Sequence, residues 1–442
     1  MKLIYQKTHK WLLVKIEIKS HGFFNQSPHR FSRLAKEGGW IVLGQVASIS
    51  GTLALVRVLT EMLEPKEYGK LVLGLSVGGV VTQVIMGGIV NAVNRYYSIA
   101  TEQGDIIGYL KSAGRMVVYA TLFATITLIA FVLGLVWLGE EQWLELTMLI
   151  FMLSIIGSLN SVLSGIQNAA RQRSIVALHS GLDAWFKIVL AVGVMVWLDH
   201  TSTAVVIGYL LSGLLIVLSQ AFFLHRFLRN SICDGDRVGK QNWLKHMWAY
   251  GWPFYAWGLF TWAQQISDRW ALEKFATTEE VGQYAAVFQL GYAPIGIASN
   301  LLISFLGPIL FQRTGDASDS CRNRQVRQIT WRITWVTLGC TAFAFILTQE
   351  THAWFFKFLV GESYRAVSIY WPWVIVAGGL FAAGQTLSLQ LMAEMQSAKM
   401  ATSKIVTALL GITANVIGAK QEGVPGVIAA LTIFSVVYFF WM

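Results

Sequence analysis

One pattern occurs twice in the chain, as RVLTEMLEPKEYGKLVLGLS at residues 57–76 and as RWALEKFATTEEVGQYAAVFQL at residues 269–290. Each copy runs from an Arg through an acidic turn to a Gly and a new apolar helix. Arg57 precedes Gly69 by 12 positions and Arg269 precedes Gly282 by 13, so a single gap aligns the copies. Such internal similarity predicts two halves of related structure.

Both copies lie between long apolar stretches. Of the 442 residues, 55% are hydrophobic and 13% charged, with a mean hydropathy of +0.54, which excludes a water-soluble surface. A helix needs about 20 apolar residues to cross a hydrocarbon core of roughly 30 Å. Twelve stretches of this kind are predicted, at residues 39–60, 71–93, 116–138, 146–169, 175–198, 203–224, 248–266, 284–310, 331–348, 370–392, 401–419 and 423–442.

These stretches predict an all-α membrane protein of 12 transmembrane helices in two six-helix lobes. Equal numbers of helices in matching orientation make the repeat parallel, with its axis along the membrane normal. The predicted parts are a basic cytoplasmic tail (1–37), an N-terminal lobe (38–224), a cytoplasmic linker (225–247) and a C-terminal lobe (248–442). Small residues at positions 74–88 favour close helix packing.

Orientation follows from the basic residues of the loops, since Lys and Arg are retained in the cytoplasm. With both termini in the cytoplasm, the inner side holds 25 of the 34 Lys and Arg residues and the outer side holds 7. The net charge of +10 reflects this excess and does not indicate nucleic-acid binding. The basic tail is either a short helix on the anionic inner leaflet or disordered, and no cleavable signal peptide is predicted.

Ionisable residues inside a membrane are candidates for function because burying a charge there is costly. Asp183 and Lys187 lie four residues apart in the fifth predicted helix, with His179 one turn earlier on the same stripe. They form either a self-neutralising pair that eases insertion or part of a polar cavity, in which Asp183 is the candidate for ion coupling and Lys187 for substrate binding.

Two arginines are the other candidates for substrate binding. Arg57 lies near the outer end of the first helix, where it either extends to the interface or faces a central cleft, and Arg269 has the equivalent place in the second half. A guanidinium offers a bidentate donor fork to phosphate. Lys404 lies closer to the inner surface, where retention of positive charge explains it.

Uncharged polar residues also occur at membrane depth, where they either bond neighbouring helices or line a path for a hydrated cargo. They are Gln45, Gln83, Asn91, Asn160, Gln264, Gln265, Gln289, Asn300, Gln385, Gln390 and Asn415. The sequence lacks a Gly-rich phosphate loop, a His-Glu-x-x-His motif and a nucleophile elbow, and its three Cys have no metal-like spacing. We therefore expect no enzyme activity, cofactor, metal site or disulfide.

Three segments resemble polysaccharide exporters of the multidrug/oligosaccharidyl-lipid/polysaccharide superfamily. They read LVRVLTEMLEPKEYGKL (55–71), MGGIVNAVNRYYS (86–98) and SDRWALEKFATTEEVGQYAAVFQL (267–290). The resemblance implies a flippase of lipid-linked oligosaccharide, such as an O-antigen or lipopolysaccharide repeat unit, in the bacterial inner membrane. Its expected partners are this substrate, membrane lipids and, as one candidate driving force, a proton or sodium gradient.

Two other functions stay open. An ion-coupled multidrug exporter of the same superfamily would share the lobes but should offer acidic residues to cationic drugs, whereas the candidates here are mostly cationic. A membrane enzyme such as a polysaccharide polymerase or acyltransferase should carry a large outer loop with clustered polar residues, and the longest predicted outer loop, 349–369, is short.

Overall fold

The computed structural model describes residues 28–170, 172–231, 242–314, 319–394 and 396–442. Regular structure within these ranges is helical throughout, which confirms the all-α prediction. The α-helices are α1 (Pro28–Met62), α2 (Pro65–Gly79), α3 (Gly87–Glu102), α4 (Ile106–Leu138), α5 (Leu144–Ala169), α6 (Arg173–Trp197), α7 (Ser202–Ser231), α8 (Trp243–Phe275), α9 (Thr278–Thr314), α10 (Ser320–Leu359), α11 (Trp371–Ala393), α12 (Ser397–Glu422) and α13 (Val424–Trp441). A π-helical segment, Val80–Ile85, joins α2 to α3, and the 3-10 segment Glu362–Tyr370 precedes α11.

Eleven helical segments of the described chain are long and apolar enough to cross a membrane, so the protein is a multi-pass membrane protein. They correspond to eleven of the predicted spans. The remaining prediction, 248–266, lies in α8, which has 33 residues but whose WAYGWPFYAWGLFTWAQQ stretch mixes aromatic rings with polar groups. The polar atoms of Tyr and Trp lower the mean hydropathy of α8. The helix is nevertheless long enough to span a membrane.

Several helices extend beyond their predicted spans. α10 begins at Ser320, 11 residues before its predicted start, where the Asp319 side chain accepts hydrogen bonds from the backbone N–H groups of Cys321 and Arg322. α7 and α8 likewise continue into the predicted linker, and α1 begins within the predicted tail. Hydropathy does not detect such polar extensions because they project past the apolar layer. Residues 1–27 of the tail and 232–241 of the linker lie outside the described residues.

The helices before residue 232 and those after residue 241 pack in the same order. In the first set α1 packs on α6, α6 on α7, α7 on α5 and α5 on α2. In the second set α8 packs on α12, α12 on α13, α13 on α11 and α11 on α9. This correspondence supports the internal repeat, while the relation by rotation about the membrane normal and the division into lobes stay predictions. Superposing α1 to α7 on α8 to α13 tests them, and an inverted relation would be the contrary result.

The two copies of the sequence pattern meet each other in the fold. α2 packs on α9 so closely that a Cβ on Gly69 would collide with the carbonyl oxygen of Thr278, and a Cβ on Gly282 with that of Pro65. Only glycine permits this approach of the two backbones. We call this region the Gly69 end; the charge distribution of the loops predicts that it faces outward.

Further contacts close the Gly69 end. The backbone N–H of Gly361 donates to Thr60 Oγ1 at 3.0 Å, and the Tyr364 hydroxyl donates to the carbonyl oxygen of Leu63 at 3.1 Å. The ring of Tyr364 also meets that of Tyr68 edge to face, with centroids 5.8 Å apart. Helices α1 and α2 are thus bonded to the segment that joins α10 to α11.

Near the opposite surface, α3 packs on the first half of α8. A Cβ on Gly251 would lie 3.0 Å from the carbonyl oxygen of Gly88, so the two backbones nearly touch. Asp105, which caps α4 through the N–H of Gly108, also accepts a 2.7 Å hydrogen bond from the buried Trp243 indole. These contacts connect the start of α8 to the α3–α4 turn.

The orientation gives a test. In sealed cells, a membrane-impermeant maleimide should label a cysteine placed at Glu140, which lies exposed in the turn between α4 and α5, when the native cysteines are replaced. The control carries native Cys321 alone; it is exposed at the start of α10 and should react only after the membrane is permeabilised. The reverse result would place both termini outside.

Candidate functional site

A central cavity of about 420 Å³ lies between helices of both sets. Its wall includes Ser48 and Thr52 of α1, Ser76 of α2, Tyr209 of α7 and Gln289 of α9. Three of the four charged residues predicted as functional, Asp183, Lys187 and Arg269, also line it. The cavity is the place where the structure brings most of the candidate residues together.

Asp183 and Lys187 form an ion pair in this cavity. Lys187 Nζ lies 2.6 Å from Asp183 Oδ2, and the side chains are 30% and 20% exposed. The Ser212 hydroxyl donates to the other carboxylate oxygen at 3.3 Å, and the Tyr209 ring centroid lies 5.9 Å from the ammonium. Since both charges are within the membrane, each neutralises most of the other's field.

Arg269 lies in the cavity without a carboxylate partner. No described acidic side chain forms a salt bridge with it, and the neighbouring Asp268 accepts hydrogen bonds from the Tyr284 hydroxyl and from the Arg269 backbone N–H. The guanidinium carbon lies 5.2 Å from the Phe288 ring centroid, and one Nη donates to the Gln265 carbonyl oxygen at 3.5 Å. Its Nε is buried without a hydrogen-bond partner among the described residues.

Arg57 is placed differently from Arg269. It does not belong to the described lining of the central cavity; its guanidinium donates to the carbonyl oxygen of Val360 and lies 2.8 Å from Glu61. Arg57 therefore joins α1 to the end of α10 in the contacts that close the Gly69 end. Its predicted role in substrate binding stays untested, and the geometry favours a role in closure.

His179 packs between α6 and α7 instead of facing the cavity. Its ring nitrogens lie 2.8 Å from the Ile175 carbonyl oxygen and 2.9 Å from the Ser219 hydroxyl, and the side chain is buried. His179 and Asp183 thus lie on the same side of α6 but face different neighbours. His179 contacts Ser219 of α7, whereas Asp183 lines the central cavity. Among the described residues, no group of three His, Cys, Asp or Glu side chains is arranged to hold a metal ion.

Two smaller cavities adjoin the central one. The α3 cavity, of about 320 Å³, includes Asn91 and shares Gln83 with the central cavity. The Lys404 cavity, of about 220 Å³, shares Gln265 with the central cavity. Gln83 Nε2 donates to Gln265 Oε1 at 3.0 Å, so this amide pair stands where the three spaces meet.

Most of the uncharged polar residues singled out at membrane depth line these spaces. They are Gln83, Asn91, Gln264, Gln265, Gln289, Asn300 and Gln385. By contrast, Asn415 of α12 donates to Ser267 of α8 at 2.8 Å and so bonds two helices, while Gln390 donates at 2.8 Å to Glu394 at the end of its own helix. The three cavities therefore place polar groups inside an otherwise apolar bundle.

Aromatic residues of α8 were candidates for stacking on a cargo, but the sequence did not predict the hydrogen bonds that two of its tryptophans make. Trp262 and Trp270 lie two turns apart on one face and donate from their indole nitrogens to the Ser76 carbonyl oxygen and hydroxyl, each at 2.9 Å. The eight-residue spacing was the available signal, since it aligns side chains on a helix. No sequence pattern predicted the π-helical segment that carries Gln83. Such segments are frequent at functional sites.

The paired charges give a second prediction. Lys187→Gln alone should lower transport by about tenfold or more, because it leaves the Asp183 carboxylate unpaired in the membrane. If the pair only balances charge, the double variant Asp183→Asn/Lys187→Gln should recover most transport. If Asp183 couples ion movement, the double variant should stay inactive even when a proton or sodium gradient is imposed. Transport in proteoliposomes under an imposed gradient distinguishes these results.

The fold is that of membrane transporters. It matches a structure described as lipid II flippase MurJ in an inward closed conformation, with a TM-score of 0.64 and 12% identity over 90% of this chain and 86% of that chain. It also matches an inward-facing multidrug resistance MATE family transporter of the MOP superfamily (TM-score 0.63, 14% identity, 90% and 93% covered). A Vibrio cholerae MATE transporter matches with a TM-score of 0.60, 12% identity and coverage of 92% and 94%.

Sequence comparison gives the family. The profile described as "Polysaccharide biosynthesis protein" matches residues 34–314, well over half of the chain, and the chain belongs to this family. No curated protein matches the sequence significantly. The predicted resemblance to polysaccharide exporters is thereby confirmed at the level of family and fold.

Proposed function

We propose that the protein moves lipid-linked oligosaccharide across the bacterial inner membrane by alternating access, with both termini in the cytoplasm. The observation that carries the proposal is Arg269, a cation in a membrane cavity whose guanidinium has no carboxylate partner among the described residues. A pyrophosphate head entering from water needs compensating charge and donors, and Arg supplies both. The polyprenyl tail stays in the surrounding lipid.

The charge of the cavity separates this function from drug export. The described lining holds two cations, Lys187 and Arg269, and one carboxylate, Asp183, which is already paired. A cationic drug would have to displace Lys187 to reach that carboxylate, whereas a pyrophosphate can bind Arg269 without breaking an ion pair. The fold alone fits both a flippase and a drug exporter. The charge of the cavity lining is what favours an anionic cargo.

A polymerase or acyltransferase is a weaker fit. The loop predicted to be the longest on the outer side is mostly helical: α10 continues to Leu359, and the 3-10 segment Glu362–Tyr370 packs against α10 and α11. Its residues Tyr364, Val367 and Ser368 are buried, so they serve packing. We therefore propose that the protein binds and moves its substrate and performs no covalent step.

The test is binding of farnesyl pyrophosphate to the purified full-length protein, with farnesol as the uncharged match. Farnesyl pyrophosphate should bind, and Arg269→Gln should weaken its binding by about tenfold or more, as expected for a lost charged hydrogen bond. Lys274→Gln is the matched control, since Lys274 is exposed on the same helix. Equal binding of both ligands, or energy-dependent export of ethidium, would favour the drug-exporter alternative.

A further inference from the structure

The amide pair Gln83–Gln265 has hydrogen-bonding capacity that the protein itself does not use. Gln83 Nε2 donates to Gln265 Oε1 at 3.0 Å. The other two amide atoms, Gln83 Oε1 and Gln265 Nε2, form no hydrogen bond with the described residues. Both side chains line the central cavity, and neither is fully buried. The pair therefore offers an acceptor and a donor, next to each other, to a molecule in the cavity.

An apolar surface adjoins the amide pair. Trp262 lies one turn before Gln265 on α8 and lines the same cavity, and its indole N–H is already bonded to the Ser76 carbonyl oxygen. A Cβ on Gly79 would lie 2.8 Å from Trp262 Cδ1 and 3.7 Å from Gln83 Nε2, so the ring and the amide border the same glycine. With its one polar atom occupied, the ring presents apolar surface beside the two amides.

An acetamido group fits this arrangement. Its N–H can donate to Gln83 Oε1, its carbonyl oxygen can accept from Gln265 Nε2, and its methyl group can pack on Trp262. A hydroxyl can also donate and accept, but its single oxygen must then reach both amides, and it leaves the Trp262 surface without a partner. The site therefore favours acetamido over hydroxyl as the substituent of a bound sugar.

The position of Arg269 indicates where on the cargo this substituent lies. Trp262, Gln265 and Arg269 follow one another at intervals of three and four residues, so they share one face of α8. Four residues of helix span about 6 Å. In a sugar that is joined to phosphate through its anomeric oxygen, a substituent at C2 is separated from the phosphorus by a distance of this order. With the phosphate on Arg269, the C2 substituent would therefore lie beside Gln265.

We propose that the Gln83–Gln265 pair binds the acetamido group of a 2-acetamido sugar attached directly to the pyrophosphate. The inference rests on the proposed function for the pyrophosphate and adds the class of the first sugar. Gln83 accepts from the amide N–H, Gln265 donates to the carbonyl oxygen, and Trp262 contacts the methyl group. A first sugar with a hydroxyl at C2 leaves these groups with poorer partners and binds more weakly.

The probes are N-acetylglucosamine 1-phosphate and glucose 1-phosphate, which differ only at C2. Titration calorimetry on the purified full-length protein should show at least about tenfold tighter binding of the acetamido compound. Gln83→Met and Gln265→Met keep the approximate size of each side chain but remove its amide, and each should reduce the ratio to about two or less. Gln328→Met is the matched control, since Gln328 is exposed on α10, and it should leave the ratio unchanged.

Two further measurements guard against misfolded variants. Thermal unfolding at the parental temperature shows that a Met variant has folded, and a ratio above about fivefold in either folded variant would overturn the proposal. Saturation-transfer NMR on the parent protein needs no variant: the acetyl methyl should receive more saturation than the ring protons, and the reverse order would be the contrary result. Equal binding of the two sugar phosphates by the parent, or binding of neither, would also refute the acetamido site.

Farnesyl pyrophosphate separates this inference from the proposed function, because it carries the pyrophosphate but no sugar. Both Met variants should bind it as the parent does. If Arg269→Gln weakens its binding while the parent binds the two sugar phosphates equally, the proposed function stands and the acetamido site is refuted. If farnesyl pyrophosphate does not bind but the parent selects N-acetylglucosamine 1-phosphate through Gln83 and Gln265, the proposed function fails and the acetamido site stands.

Discussion

Arg269→Glu is expected to abolish export of surface polysaccharide, with a decrease of about a hundredfold in the rate of flipping. The substitution changes the described charges of the central cavity from two cations and one carboxylate to one cation and two carboxylates. A pyrophosphate would then meet a like charge at membrane depth, where water screens little. Export is measured as surface polysaccharide per unit of protein in the membrane fraction, together with accumulation of the lipid-linked precursor.

The matched control for this variant is Lys274→Glu. It reverses a charge on the same helix near the same membrane surface, but Lys274 is exposed and does not line the cavity. It should export at the parental level. If Arg269→Glu exports half as much as the parent or more, at equal abundance, Arg269 does not bind the cargo. Arg57→Glu should have a smaller effect than Arg269→Glu, because Arg57 acts at the closure of the Gly69 end.

Gly69→Ala is expected to keep the Gly69 end open and to reduce transport at least about tenfold. A Cβ at this position collides with the carbonyl oxygen of Thr278, a backbone atom that cannot move aside, so α2 and α9 must separate. A conformation in which these helices are apart is thereby favoured. The same collision with Pro65 makes Gly282→Ala the reciprocal variant, and we expect it to behave in the same way.

Accessibility of the central cavity measures this shift. With native cysteines replaced, Thr52→Cys should react with an impermeant maleimide from outside at least about tenfold faster when combined with Gly69→Ala. The control is Gly193→Ala, since Gly193 lies in α6 with no atom within 4 Å of an added Cβ. Unchanged labelling in the Gly69→Ala background would show that the Gly69 end does not close the cavity, and faster labelling from the other side would reverse the orientation.

The two copies of the sequence pattern predicted that corresponding residues would have equivalent surroundings. The structure confirms this for the glycines but not for the arginines. Gly69 and Gly282 do meet as partners, each against the backbone of the other copy. Arg57 and Arg269, however, have different surroundings: Arg57 reaches Val360 and Glu61, while Arg269 faces the cavity beside Phe288. A repeat aligns backbones, but the partner of a long flexible side chain depends on residues that need not repeat.

The sequence by itself determined the membrane class, the approximate position of eleven spans, the family and the set of charges at membrane depth. These properties are local, since about 20 consecutive residues decide whether a helix spans and short motifs identify the family. Only the tertiary structure decided which of those charges share a space. Asp183 with Lys187 could be paired by their four-residue spacing, whereas the meeting of Gln83 with Gln265 and the position of Lys404 in a separate chamber depend on contacts between helices distant in the chain. Hydropathy gives the depth of a residue in the bilayer, but the direction of its side chain around the helix axis is settled by packing against neighbouring helices.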